Sequence, residues 1–134
     1  NKTGELKSIE KLSEFFHVVK GEPAKKFVWN MTEEEKAIVK IEHTNRFKAV
    51  TKKAVEEDYD VLILDELIAT VNLDFVPVHL VVDFLKNKPT SLEVVMTGRN
   101  PKVELVELAH YVSEIKAVKH PFTEGIPARV GIEI

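Results

Sequence analysis

The sequence predicts an α/β fold in which a mostly parallel sheet is flanked by helices, built as one domain over residues 1–134. Three observations carry this. Val61-Leu62-Ile63-Leu64 is an unbroken apolar run, as expected of a strand covered on both faces, and Ser91 to Met96 is a second strand of the buried type. Each run is followed by a loop and then by residues at helical spacing, so the order strand, loop, helix occurs twice. The chain is also long enough to bury about two-thirds of its unfolded surface around a single core.

Taken in order, Leu6, Ile9, Leu12, Phe15 and Phe16 recur at three and four residues and predict a short amphipathic helix. Phe16 to Lys20 reads as a short strand, stopped by Gly21 and Pro23. Thr32-Glu33-Glu34-Glu35 has the form of a capping box, and Ala37, Ile41, Thr44, Phe47, Val50 and Ala54 continue it as a long helix. Its acids suit the positive end of the helix dipole. Tyr59 to Leu64 is the clearest strand. After Asp65-Glu66, Asp74 is placed to cap a helix that takes Pro77 in its first turn and buries Leu80, Val81, Phe84 and Leu85. The strand from Ser91 ends in Thr97-Gly98-Arg99, and Asn100-Pro101 supplies a cap and first-turn proline for a helix carrying Leu105, Leu108 and Ala109. Tyr111 to Val118 and Gly131 to Ile134 complete the reading as two more short strands.

Composition narrows the function without naming it. Charge is nearly balanced at −3 and interspersed along the chain, which selects neither nucleic acid nor an anionic membrane as partner. The absence of cysteine removes disulfides and thiolate chemistry and makes a cytoplasmic setting the expectation. The longest mostly apolar run, Val76 to Leu85, carries His79 and Asp83 and is too short to span a bilayer. The first residue is Asn1, and the opening segment lacks the features of a signal peptide.

In open α/β sheets ligands bind beyond the carboxyl ends of the strands, which singles out Asp65, Glu66, Thr97, Gly98 and Arg99. A buried strand ending in two acids has the form of a Walker B segment, where a carboxylate serves Mg²⁺ on phosphate oxygens; the alternative is a loop cap or a pairing with surface lysines. Thr97-Gly98-Arg99 offers a hydroxyl, a close backbone approach and a guanidinium fork for an anion, or else a tight turn with a surface arginine. Phe27 and Trp29, in the loop before the long helix, either cover a flat ligand or pin the loop. The five histidines show no metal-ligand spacing, and no Gly-x-Ser-x-Gly element occurs. Nor is there a Gly-x-x-x-x-Gly-Lys-Ser/Thr loop, the backbone cradle that accompanies a Walker B segment in phosphate-binding folds.

Three segments, taken together, are more specific. Val61 to Glu66, Leu92 to Arg99 and Lys119-His120-Pro121-Phe122, with Gly125-Ile126, Ala128 and Gly131-Ile132-Glu133 behind them, resemble the P-loop class of ATP:cob(I)alamin, or ATP:corrinoid, adenosyltransferases nearly end to end. The resemblance implies a P-loop NTPase or RecA-like architecture whose first strands and phosphate-binding loop would precede Asn1, so that these residues are roughly its last three-quarters. It implies transfer of the 5′-deoxyadenosyl group of ATP to the cobalt of a reduced corrinoid, with triphosphate leaving, and a chain that is inactive without the phosphate loop. Asp65 and Glu66 then serve Mg²⁺, Arg99 stabilises the polyphosphate, Thr97 and Gly98 belong to the nucleotide-side site, and Phe27 and Trp29 face the corrinoid. ATP, cobalamin, a homodimer partner and an electron-donating reductase follow as implied partners. Val28, Asn30 and Ile68 stand where the family usually has polar residues. Two other readings compete: a non-catalytic corrinoid- or protein-binding module derived from the same fold, and a P-loop kinase or ATPase fragment, which leaves the block from Thr97 to Glu133 unexplained.

Overall fold

The computed structural model describes residues 4–21 and 26–130. Its elements run α1 (Gly4–Glu10), α2 (Glu33–Glu56), β1 (Val61–Leu64), α3 (Leu67–Asn72), α4 (Val78–Asn87), β2 (Glu93–Met96) and α5 (Val103–Leu108), with 3₁₀ turns at Val28–Asn30 and Pro121–Glu124. The chain divides into two compact units, Ala24–Val112 and, separately, Asn1–Pro23 with Ser113–Ile134. The fold is α/β, with a parallel sheet and flanking helices.

In the larger unit, α2 starts where the capping box predicts. Thr32 Oγ1 accepts from the Glu35 N–H at 3.3 Å, and the Glu35 carboxylate accepts from the Thr32 N–H at 2.9 Å. Lys26 adds an ion pair to the same carboxylate. Its hydrogen bond, followed by that from the Thr32 backbone, holds Glu35 below the usual carboxylate range. Thr32→Ala leaves an orphan N–H at the helix start and is expected to cost about 1 kcal/mol. Chemical denaturation should show this as a lower midpoint with an unchanged slope, and Thr32→Ser should restore most of it.

The core gathers Phe47 from α2, Leu67, Ile68 and Val71 from α3, Val76 and Val81 around α4, and Leu105 from α5, with Leu64 and Met96 of the sheet packed against it. Phe47 meets Phe84 edge-on at a centroid distance of 6.0 Å. The one buried polar side chain among the described residues, Thr51, donates to the Phe47 carbonyl at 2.8 Å. Two stations of the α2 pattern, Phe47 and Ala54, are buried as expected, whereas Ala37 and Ile41 in the first half of the helix are exposed. The apolar period therefore reaches further along α2 than the packing does.

β1 and β2 pair in parallel, Val61 opposite Glu93 through Leu64 opposite Met96, and form the whole sheet among the described residues. Their burial alternates. Val61, Ile63 and Val95 lie on a row that is 49%, 57% and 45% exposed, so only the opposite face packs, and the expectation of two covered faces does not hold here. The strands expected at Phe16 to Lys20 and Tyr111 to Val118 do not form, because apolar composition without a ladder partner leaves the backbone donors unpaired. The one expected at Gly131 to Ile134 lies outside the described residues.

Two helix starts also differ from expectation. Asp74 does not cap α4: it adopts a left-handed φ of 57° and pairs with Lys40, while Pro77 occupies the cap position. The Lys40 hydrogen bond, then its charge, keeps the Asp74 carboxyl below its ordinary range. α5 begins at Val103 after Lys102 rather than after Asn100, because Asn100 turns left-handed at φ 54°.

Candidate functional site

Parallel pairing sets the carboxyl ends of β1 and β2 side by side, so Asp65-Glu66 and Thr97 leave the sheet together. The Thr97 N–H donates to the Leu64 carbonyl at 3.2 Å and closes the ladder. Its hydroxyl then donates to Asp65 Oδ1 at 2.7 Å and accepts from the Glu66 N–H at 2.9 Å. The Thr97 carbonyl accepts from the Ile68 N–H at 3.2 Å, within the first turn of α3. One threonine thus binds both acids and the helix that follows them. Glu66 precedes α3 with a left-handed φ of 55°, a conformation disfavoured for a non-glycine residue and pinned here by the bond to Thr97.

Gly98 follows at φ +138°, in a region that only glycine enters readily. A methyl group there would stand 2.6 Å from Ile68 Cβ, so the close approach at this glycine is to the core through Ile68. Ile68, at the position where the resemblance leads one to expect a polar residue, is 5% exposed and serves as that seat. Arg99 is exposed, and among the described residues no acid forms an ion pair with its guanidinium. Its backbone is held: Asn72 Nδ2 donates to the carbonyls of Arg99 and Asn100, each at 3.0 Å.

Phe27 and Trp29 come together in the 3₁₀ turn ahead of α2. Their rings stack at 4.6 Å with 5° between planes. They are 65% and 77% exposed, so the pair is a flat aromatic slab turned to solvent. No hydrogen bond among the described residues ties this slab to the strand ends. The structure thus brings Asp65, Glu66, Thr97 and Gly98 into one cluster with the Arg99 backbone, while Phe27 and Trp29 form a second one.

The donor set at the strand ends suits a hard cation. Asp65 keeps one carboxylate oxygen clear of the Thr97 bond, and Glu66 is exposed beside it. One or two carboxylates with water completing the shell is the way Mg²⁺ is ordinarily held, and no group of three or more potential ligands occurs among the described residues. His43 is no ligand of this corner: it stacks on Phe75 at 5.8 Å, and burial, then the neighbouring Arg46 charge, depresses its pKa. His120 uses Nδ1 to accept from the Phe122 N–H at 3.1 Å in the other unit. Sequence reasoning missed Asn72, whose only signal was an amide closing the short apolar run Leu67 to Val71.

Acidic and Thr-Gly-Arg turns at the ends of neighbouring parallel strands define an α/β protein with a polar edge beyond the carboxyl ends of its strands, the edge where open sheets of this kind ordinarily bind ligands. More particularly, the chain belongs to the ATP:corrinoid adenosyltransferase BtuR/CobO/CobP family, whose model matches residues 1–134. A corrinoid adenosyltransferase of Sinorhizobium sp is 33% identical over 136 residues, covering 98% of this chain and 60% of the relative. The corrinoid adenosyltransferase of Escherichia coli K12 is 38% identical over 78 residues, 58% of this chain and 40% of its own length. That of Pseudomonas aeruginosa is 29% identical over 107 residues, 80% of this chain and 52% of its own. The chain therefore spans about 60% or less of each of these relatives, all of them transferases by name. No helix among the described residues is long and apolar enough to cross a membrane.

Proposed function

We propose that these residues form the metal- and corrinoid-facing part of an ATP:cob(I)alamin adenosyltransferase of P-loop architecture. The reduced cobalt attacks C5′ of ATP, the C5′–O bond breaks, and the electron pair leaves with triphosphate. Because the nucleophile arrives with the substrate, the protein's work is alignment and stabilisation of the departing charge. The observation that supports this most directly is the Thr97 bridge, which ties both acids to the turn carrying Arg99.

In this reading Asp65 and Glu66 hold Mg²⁺, which when bound neutralises phosphate oxygens. Arg99 offers a planar, fully ionised fork to the leaving triphosphate. The stacked Phe27 and Trp29 present an apolar face of the kind that packs against a flat macrocycle. The phosphate cradle is not encoded in residues 1–134, so adenosyl transfer is expected to require polypeptide beyond them. A homodimer, an electron-donating reductase and a cytoplasmic setting complete the proposal.

Calorimetric titration with Mg-ATP tests it, using this chain beside a version carrying whatever its own coding sequence places ahead of Asn1. The expected result is ATP binding and adenosylation of reduced cobalamin by the extended protein only. Corrinoid binding with no ATP binding in either form would replace the enzyme with a binding module.

A further inference from the structure

Asp65, Glu66 and Ile68 are each tied to Thr97 by one hydrogen bond in the immediate turn: hydroxyl to the Asp65 carboxylate, Glu66 N–H to hydroxyl, and Ile68 N–H to carbonyl. Arg99 lies two residues further on, past the end of the β2 ladder and past a glycine at φ +138°. Nothing in the ladder fixes it. What reaches it is Asn72, the last residue of α3, whose single amide nitrogen spends both hydrogens on the successive carbonyls of Arg99 and Asn100. The second of these belongs to a residue at φ 54°, so the amide also stabilises the left-handed turn that redirects the chain into α5.

α3 is consequently a strut. Its amino end carries the acidic pair and its carboxyl end grips the arginine's backbone, with roughly 9 Å of helix between them. Ile68, Leu67 and Val71 bury the inner side of the strut in the core, which keeps that spacing rigid. We propose that Asn72 is the positioning residue that sets Arg99 in register with Asp65 and Glu66. The proposal rests on the transferase reading for its catalytic consequence, though not for its structural one.

Asn72→Asp is the informative change, because it keeps the shape, removes both donors and turns an oxygen toward two carbonyl oxygens. In the 134-residue chain, ¹⁵N relaxation should show Gly98, Arg99 and Asn100 losing order while the β1 and β2 amides keep theirs. Asn72→Gln, which retains the donors on a longer arm, should restore part of it. Unchanged order at Arg99 and Asn100 in Asn72→Asp would overturn the proposal, whatever the protein catalyses.

In the N-terminally extended protein, Asn72→Asp should lower kcat about tenfold, the scale set by two ordinary hydrogen bonds, with KM for ATP nearly unchanged. In an Arg99→Ala background the same change should have almost no further effect, since its action passes through Arg99. An equal loss in both backgrounds would show a general structural defect and also overturn the proposal. If the extended wild type transfers no adenosyl group while the relaxation effect is present, the transferase reading fails and the strut stands.

Discussion

Arg99→Ala in the N-terminally extended protein is expected to slow adenosyl transfer to reduced cobalamin by about 10²-fold to 10³-fold, the usual loss when one fixed charge-stabilising donor is removed. The fall should lie in kcat, because triphosphate gains its extra charge only as the C5′–O bond breaks. The guanidinium is exposed and free of ion pairs among the described residues, so its removal leaves no buried charge behind and the melting temperature should barely move. Arg99→Lys should recover only part of the rate, since an ammonium lacks the planar fork. Glu66→Gln should match the loss at low magnesium and regain some activity as magnesium is raised, as expected when a cation ligand is weakened. An Arg99→Ala enzyme of wild-type kcat would remove the arginine from the reaction.

How much of this was legible beforehand follows from which residues act locally. The capping box at Thr32 and Glu35 was readable because both partners lie within one turn, and the structure closes it as written. The two strands were readable from short apolar runs, and the acids and the Thr-Gly-Arg turn at their ends followed from where parallel strands stop. Burial was misjudged where it depends on a neighbouring layer. Val61, Ile63 and Val95 have the apolar character of residues covered on both sides, yet half their surface is open. Composition records what a side chain suits, while exposure depends on what else is folded against it. Asn100 illustrates the same limit at the level of turns. Asn-Pro reads as a helix cap from local chemistry alone, but the carbonyl of Asn100 is taken by an amide 28 residues earlier in the chain. Asp74 was drawn away from its expected cap by Lys40, 34 residues before it.

The same distinction makes Gly98→Ala the most severe single-atom change expected in the fold. At φ +138° an alanine is strained before any neighbour is considered, at a cost of about 1–3 kcal/mol. Its methyl would also meet Ile68 Cβ at 2.6 Å and the Ile68 Cα at 3.3 Å. Ile68 is 5% exposed within the central cluster and cannot swing aside as a flexible surface chain does, so overpacking adds about 1–3 kcal/mol. The sum is a large share of the ~5–15 kcal/mol that ordinarily holds a domain together, and should lower the melting temperature by about 10 °C or more. Gly125→Ala is the natural comparison, since that glycine is left-handed at φ +75° with open space where a methyl would go. It should lose only the backbone part. A double-mutant cycle separates the two contributions at Gly98: Ile68→Gly removes the Cβ that stands 2.6 Å from the new methyl, so Gly98→Ala should cost markedly less in that background than in the wild type. Equal costs in the two backgrounds would mean that the backbone conformation alone requires glycine, and that the seat on Ile68 does not position the Thr97-Gly98-Arg99 turn.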